Sequence, residues 1–500
     1  MTNRDQPNLN SLAHTVTQGA TWMVAMRWTI RSIGLLNTII LARVLTPHDF
    51  GLVAMATVVI GLLDAMTSVN VQLPLIRNRA VKRCDYDSAW TLQVLSGWVK
   101  CGLYIGIAPF LVKYYGDPRV GTVACIIAFG PAIEGFENIG QVNFRRDLRF
   151  DKEFRYWVYR RLLTFILTIG IALWLRNYLA LAIAAPIAAM VTVFLSYVMC
   201  TYRPRFATRH IREIWAFSKW WMLLDFMGYF GNRGEAFILG GVTTPQVVGA
   251  YAVSADLASH LTHDVVGPIG RSLFANYAKL SNNPTDLQRA FQLSFAILTT
   301  FSLAAGVGGS LIAKELVVVF LGANWLIATP FVKFLAIHAA FWSLVESMQP
   351  YFMVTNRERL FSLCLTGYVA VLIPAIAIAA HTANAEAVAM TRTATTILFS
   401  TGMLGMLVTT GVFSLKALVS FLWRPLVAVA VMGLCVWFIN LSAAPIILLA
   451  LKVTTGLIIF PMVLVLLWSV SGRPDGLEST IFSLLSDYTR LAWERLGKTG

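Results

Sequence analysis

Apolar residues lie along this chain in long runs, each of about 18 to 27 residues. Soluble helices and strands keep a polar face, whereas about 20 consecutive apolar residues are needed to cross a bilayer. The pattern therefore predicts an all-α polytopic membrane protein with about 14 transmembrane helices. The predicted spans are 18–42, 50–73, 88–111, 121–143, 158–175, 178–200, 218–241, 247–270, 290–313, 328–352, 360–381, 386–411, 424–441 and 444–470.

The composition of the 500 residues agrees with this prediction, since 57% are hydrophobic, 13% are charged and the mean hydropathy is +0.67. A soluble domain carries about twice that share of charge, so a soluble fold is excluded. The net charge of +15 does not predict a nucleic-acid partner, because that needs a basic patch facing solvent. It indicates basic cytoplasmic loops in contact with the anionic surface of the lipid bilayer.

Lys and Arg residues alternate between the two ends of the predicted spans and so define an orientation. The side that holds the N-terminus carries 28 of the 40 basic residues, the opposite side carries 5, and 7 lie within spans. A missed or false helix would destroy this alternation. The sequence therefore predicts that the N- and C-termini are both cytoplasmic.

The segments outside the predicted spans are short, so any activity must reside among the helices. The first 16 residues are polar and lack the apolar core of a signal peptide, and no cleavage is expected. The segment 477–496 is expected to form an amphipathic helix on the cytoplasmic surface. Six scattered cysteines form no CxxC pair, which predicts neither a disulfide framework nor a zinc site.

An internal repeat supports a two-lobed architecture. Residues 40–54 read ILARVLTPHDFGLVA and residues 238–252 read ILGGVTTPQVVGAYA, with seven identities that include Pro47/Pro245 and Gly51/Gly249. Six predicted spans separate the copies, so both copies have the same direction, as in parallel transporter repeats. The predicted domains are a cytoplasmic N-terminus (1–17), an N-lobe (18–200), a cytoplasmic linker (201–217), a C-lobe (218–411), two extra helices (424–470) and a cytoplasmic amphipathic tail (471–500).

Four segments carry a family resemblance: LARVLTPHDFGLVAM (41–55), NFRRDLRF (143–150), TTPQVVGAYAVSADL (243–257) and FLGANWLIATPFVKFLA (320–336). With these segments the chain resembles the bacterial polysaccharide-transport flippases of the multidrug/oligosaccharidyl-lipid/polysaccharide exporter superfamily. The resemblance implies a flippase of the bacterial inner membrane that carries undecaprenyl-pyrophosphate-linked oligosaccharide repeat units to the periplasmic leaflet. It implies alternating access about a central hydrated cavity, with the two extra helices offering a surface for the polyprenyl tail.

The same resemblance implies where the product is used, which partners the protein has and which ion drives transport. The product would serve exopolysaccharide or O-antigen assembly, and a polysaccharide polymerase or export machinery is a candidate partner. No cofactor is expected beyond coupling to H⁺ or Na⁺. Two alternatives stay open: a drug or cation antiporter of the same superfamily, and a polytopic glycosyltransferase or polymerase. The enzyme alternative is disfavoured because no loop is large enough to hold its chemistry.

Charged residues within the predicted spans are costly in hydrocarbon and are therefore candidates for function. The bases are candidates for binding pyrophosphate and sugar, and the acids are candidates for a coupling cation. The alternative for Arg27 and Arg31 is a permanent structural pairing with Asp64 and Glu134. The substrate-binding candidates are Arg27, Arg31, Lys100, Arg233 and Arg392, and the ion-coupling candidates are Asp64, Glu134, Glu137 and Asp256.

Other motifs do not predict chemistry. Asp85-Tyr86-Asp87 matches the DxD motif of glycosyltransferases, but no nucleotide-binding domain accompanies it. His260-x-x-His263-Asp264 lies near a predicted helix end beside Gly267-Pro268, where a polar cavity lining is more typical than a metal site. We therefore predict no catalytic residues and no metal ligands.

Overall fold

The computed structural model describes residues 9–472 except 70, 78–80, 148, 212–214, 216–228, 230–232, 281–282, 383, 440 and 442. The predicted tail helix and most of the seventh predicted span lie outside the described residues. Within them the secondary structure is helical and contains no strand. The all-α class is therefore confirmed.

The long helices follow the predicted spans closely. Short 3₁₀ segments at Ile139–Gln141 and Ala323–Ala328 and a π segment at Val317–Leu321 interrupt the α-helices. The helices are α1 (Leu9–Val44), α2 (Pro47–Thr67), α3 (Gln72–Arg77), α4 (Arg83–Tyr115), α5 (Pro118–Glu134), α6 (Val142–Arg146), α7 (Phe150–Leu175), α8 (Tyr178–Met199), α9 (233–242), α10 (Pro245–Leu280), α11 (Pro284–Leu311), α12 (Ala313–Leu316), α13 (Thr329–Val354), α14 (Glu358–Thr382), α15 (Ala385–Thr409), α16 (Leu415–Phe438) and α17 (Pro445–Val470).

Helix ends follow local chemistry. Thr46 accepts the backbone N–H of Asp49, and the Asp49 carboxylate accepts the backbone N–H of Thr46, so a capping box starts α2. At the far end of α4, Gly116 takes a left-handed conformation (φ 71°) that stops the helix. Asp117 then caps α5 by accepting the backbone N–H of Arg119.

The protein is a multi-pass membrane protein. Nine of the described helices are long and apolar enough to cross a bilayer, or ten if α5 and the segment Ile139–Arg146, bent by 65°, form one broken span. The number fourteen stays a prediction. Three helices extend well beyond the predicted spans: α1 starts at Leu9 and not at residue 18, α7 starts at Phe150 and not at residue 158, and α10 ends at Leu280 and not at residue 270.

Two compact units divide the chain, Met1–Ala252 and Val253–Gly500. In the first unit α1 packs on α7, α4 packs on α5, and α8 packs on both α5 and α7. In the second unit α13 packs on α11 and α15, and α14 packs on α15. The proposed lobe boundary at 201–217 stays a prediction.

The repeated motif packs against its own copy within the first unit. A Cβ added at Gly51 would lie 1.6 Å from the carbonyl oxygen of Pro245, and one added at Gly249 would lie 2.0 Å from that of Pro47. The start of α2 and the start of α10 thus touch through backbone atoms in a reciprocal way. The glycines are required because any side chain would separate the two helix starts.

The two C-terminal helices belong to the second unit, where α16 packs on α11 and on α17. Lys452 on α17 pairs with Glu315 on α12 at 2.6 Å, and the two side chains are only 12% and 9% exposed. A pair this buried survives only while both partners are present. The Lys452–Glu315 pair attaches α17 to the rest of the second unit.

The close contact of the repeats predicts a sharp sensitivity to size. Gly51→Val should clearly lower the melting temperature of the detergent-solubilised protein, because an overpacked core typically loses about 1–3 kcal/mol or more. Gly102→Ala on α4 is the matched control, since nothing lies within 4 Å of an added Cβ there. Equal melting temperatures for the two variants would contradict the contact.

Candidate functional site

Eight charged side chains lie on the long helices of the first unit and at the bend after α5, and we call them the charge cluster: Arg27, Arg31, Asp64, Lys100, Glu134, Glu137, Arg160 and Arg161. Asp64, near the end of α2, accepts from the ammonium of Lys100 on α4 at 2.5 Å. The hydroxyl of Tyr104, one turn further along α4, donates to the same oxygen at 3.2 Å. Because α2 packs on α4, an ion-coupling candidate and a substrate-binding candidate from separate spans form one pair.

The break between α5 and the 3₁₀ turn carries the other two acids. The guanidinium of Arg160 on α7 donates to Glu134 at 2.9 Å and lies 5.1 Å from the ring centroid of Trp157. The hydroxyl of Tyr156 donates to the buried carboxylate of Glu137. Broken helices at membrane depth need internal partners for their freed carbonyls.

Gln93 on α4 supplies those partners. Its side-chain amide faces the carbonyl oxygens of Glu134, Gly135 and Glu137, at 3.4, 3.1 and 3.1 Å. A side chain of the neighbouring helix α4 therefore stabilises the bend from which the carboxylates of Glu134 and Glu137 project.

Arg161, the residue after Arg160, lies against α1. Its guanidinium is 2.7 Å from the place that a Cβ at Gly34 would occupy, and its buried Nε has no hydrogen-bond partner among the described residues. Arg31 precedes Gly34 by one turn of α1. The packing of α1 on α7 thus brings arginines of both helices to one region.

The sequence places Arg160 and Arg161 at the cytoplasmic edge of the predicted span 158–175, among the basic residues of that side, and therefore does not predict them as site residues. In the structure they follow the start of α7 by ten and eleven residues, about 15 Å along the axis. The available signal for this site was a pair of adjacent arginines inside a helix that begins at Phe150. With them the cluster contains five bases and three acids.

Arg27 and Arg31 both lie on α1 with partly exposed side chains. The two acids that the structural alternative assigns to them also pair with Lys100 and Arg160. Their role in binding an anion stays a prediction.

Arg233 is exposed at the start of the described part of α9. It follows Tyr229 by four residues, and the hydroxyl of Tyr229 donates to the carbonyl oxygen of Val58 on α2 at 2.9 Å. Arg233 lies near Tyr229, so this base is brought towards α2, the helix that carries Asp64.

The second unit holds a separate polar network around Arg392. The Nε of Arg392 on α15 donates to Nε2 of the buried His338 on α13 at 3.1 Å. His338 must then carry its proton on Nδ1, which donates to the hydroxyl of Thr396 at 2.9 Å. Tyr368 on α14 also lies 2.9 Å from that hydroxyl.

The last ion-coupling candidate, Asp256, is exposed on α10.

The DxD motif has a structural role in the segment 201–211, which we call the connecting segment. The buried carboxylate of Asp87 accepts the hydroxyl of Tyr202 at 2.7 Å and the backbone N–H of Arg205 at 2.8 Å. Burial and this hydrogen bond raise the pKa of Tyr202, so its hydroxyl stays protonated and donates.

The other motif of the sequence, His260-x-x-His263-Asp264, is described only in part, because the side chains of His263 and Asp264 lie outside the described residues.

Comparison with known proteins identifies a family that the chain matches and relatives with similar sequences. Residues 40–330 match a family described as "Polysaccharide biosynthesis protein". The "Lipopolysaccharide biosynthesis protein WzxC" of Escherichia coli K12 is 22% identical over 65% of this chain and 67% of its own length. The "Succinoglycan biosynthesis transport protein ExoT" of Rhizobium meliloti is 20% identical over 69% of this chain and 70% of its own.

The fold also matches a solved structure. "Lipid II flippase MurJ, inward closed conformation" superposes with a TM-score of 0.73 over 90% of this chain and all of that one, at 11% identity. At this identity the likeness establishes the fold. The predicted exporter architecture is therefore confirmed at the level of fold.

The Arg392 network predicts an isosteric test. Thr396→Val should lower the free energy of unfolding by about 1–3 kcal/mol, because His338 and Tyr368 lose their common buried partner. Thr396→Ser keeps the hydroxyl and should melt close to the unsubstituted protein. The measurement is thermal melting in detergent, and equal melting of both variants would show that the network does not stabilise the unit.

Proposed function

The chain belongs to the polysaccharide biosynthesis protein family, and we propose that it is a flippase for lipid-linked oligosaccharide repeat units. The substrate would be a saccharide on undecaprenyl pyrophosphate, moved from the cytoplasmic to the periplasmic leaflet of a bacterial inner membrane. Both chain termini would be cytoplasmic, and the product would feed the assembly of exopolysaccharide or O-antigen. The names of the relatives, a transport protein and a lipopolysaccharide biosynthesis protein, support a transporter rather than an enzyme.

The excess of basic charge in the first unit is the observation that carries this proposal. Five bases and three acids lie on α1, α2, α4, α7 and the bend after α5. Basic side chains inside a membrane protein are costly to bury and are therefore candidates for binding an anionic substrate. A pyrophosphate supplies that anion, and guanidinium groups bind phosphate oxygens with paired donors.

The ion pairs suggest how binding and coupling are linked. Lys100 and Arg160 neutralise Asp64 and Glu134, whose side chains are 52% and 45% exposed. A pyrophosphate that attracts these bases would weaken their hold on the carboxylates. The released carboxylates would then bind H⁺ or Na⁺, so that in an alternating-access cycle the bases hold the anion and the acids hold the cation.

The C-terminal helices favour a lipid-linked substrate over the drug antiporter alternative. The described side chains of α17 are almost all accessible, with Leu464 the buried one. Packing on α16 and the Lys452–Glu315 pair hold α17 and its apolar surface in place. We assign it to the polyprenyl tail, and a polymerase or export complex would take the product.

Replacement of an arginine by lysine tests anion binding. Arg31→Lys keeps the charge and should lose most polysaccharide export, at least about tenfold, because lysine lacks the planar pair of donors. Export is measured in cells that depend on this protein, with melting of the purified variant beside it. The matched control is Arg155→Lys, an exposed arginine on α7.

Full export by Arg31→Lys would contradict the binding role. The same holds for Arg27→Ala if its melting temperature falls steeply while the surviving protein exports normally, since that outcome assigns the arginine to structure.

Neutralisation of Asp64 tests coupling. Asp64→Asn should remove the dependence of transport on the H⁺ or Na⁺ gradient in reconstituted vesicles while the protein still folds, because Lys100 and Tyr104 can pair with the amide oxygen. Asp49→Asn, a change in the exposed capping box of α2, serves as the control. An unchanged pH and sodium dependence in Asp64→Asn would remove this residue from the role.

A further inference from the structure

Three side chains with metal-binding atoms meet at the start of α4. The thiol of Cys84, the carboxylate of Asp85 and the imidazole of His210 place one ligand atom each within 4.8 Å of one another. Nδ1 of His210 contacts an oxygen of Asp85 directly, although 125 residues separate them. Fifteen residues of α4, about 22 Å, separate Asp85 from Lys100, so this group is distinct from the charge cluster.

Two of the three side chains, Asp85 and His210, are held in place by hydrogen bonds to their neighbours. The second oxygen of Asp85 accepts the backbone N–H of Lys82 at 2.7 Å, which fixes the orientation of the carboxylate. The backbone N–H of His210 donates to the hydroxyl of Ser88 at 3.3 Å. Earlier in the connecting segment, Ala207 donates to the hydroxyl of Thr91 at 2.9 Å. Such supporting contacts are typical of the second shell of metal sites.

We propose that Cys84, Asp85 and His210 bind a zinc ion, with water as the fourth ligand. One sulfur, one nitrogen and one oxygen donor form a set that suits Zn²⁺, whereas Mg²⁺ and Ca²⁺ prefer oxygen ligands alone. A tetrahedral zinc ion holds its ligand atoms about 3.5 Å apart, which side-chain rotation can reach from the present arrangement. The ion fastens the connecting segment to α4.

The charges balance at this site despite its basic surroundings. On binding, the thiol of Cys84 releases its proton and becomes a thiolate, and His210 binds through a neutral ring nitrogen. Thiolate and carboxylate together neutralise a divalent ion. The nearby base Arg83 is already directed to Asp87, 3.9 Å away.

Binding of Co²⁺, the spectroscopic substitute for Zn²⁺, tests the proposal on the purified full-length protein in detergent, with any affinity tag removed. We expect one equivalent of Co²⁺, a thiolate-to-cobalt absorption band, and displacement by Zn²⁺. Cys84→Ser should lose the band, and His210→Asn should weaken binding at least tenfold. The matched controls are Cys125→Ser, another partly buried cysteine, and His381→Asn, an exposed histidine.

A second measurement separates binding from folding. Zn²⁺ at about 100 times its dissociation constant should raise the melting temperature of the unsubstituted protein, corresponding to about 2.7 kcal/mol, and should leave that of Cys84→Ser unchanged. The metal-free melting temperatures of the two proteins should agree. Absence of the thiolate band in the unsubstituted protein, or the same band in Cys84→Ser, overturns the zinc site in favour of a simple hydrogen bond between Asp85 and His210.

Discussion

An ionised side chain among apolar helices must have a partner, and this constraint organises the structure. Asp64 pairs with Lys100, Glu134 with Arg160, and Glu315 with Lys452, each across two separate elements. For the buried Glu315–Lys452 pair, loss of one member typically costs roughly 3–5 kcal/mol. The two pairs with half-exposed acids contribute less. Each pair therefore also determines which helices are neighbours, something that uniform apolar surfaces specify only weakly.

The same constraint gives the proposed transport its physical basis. Within the charge cluster the bases outnumber the acids once Arg160 and Arg161 are included, and Arg161 has a buried Nε without a hydrogen-bond partner among the described residues. A helix bundle that tolerates this excess is prepared for an anion. In the second unit Arg392 is held differently, by a neutral histidine whose tautomer it fixes, so the two groups of bases are not equivalent.

Polar contacts near the helix ends complete the fold where apolar packing cannot. The two copies of the Thr-Pro-x-x-x-Gly motif touch backbone to backbone, which only glycine allows at that distance. On α4, Asp87, Ser88 and Thr91 hold the connecting segment through its backbone N–H groups. A motif that matches glycosyltransferases in sequence thus serves as an anchor, because its carboxylate satisfies donors that would otherwise be buried alone.

The sequence by itself determined the membrane class, the helix positions and the repeat, because hydropathy, basic loops and turn residues act locally along the chain. It also indicated that Asp64, Lys100, Glu134 and Glu137 lie inside. It did not determine that Asp64 belongs to Lys100, that Glu134 belongs to an arginine on α7, or that His210 reaches Asp85 from 125 residues away. Those partnerships depend on which helix faces meet and on where α7 begins, and only the tertiary packing decides both.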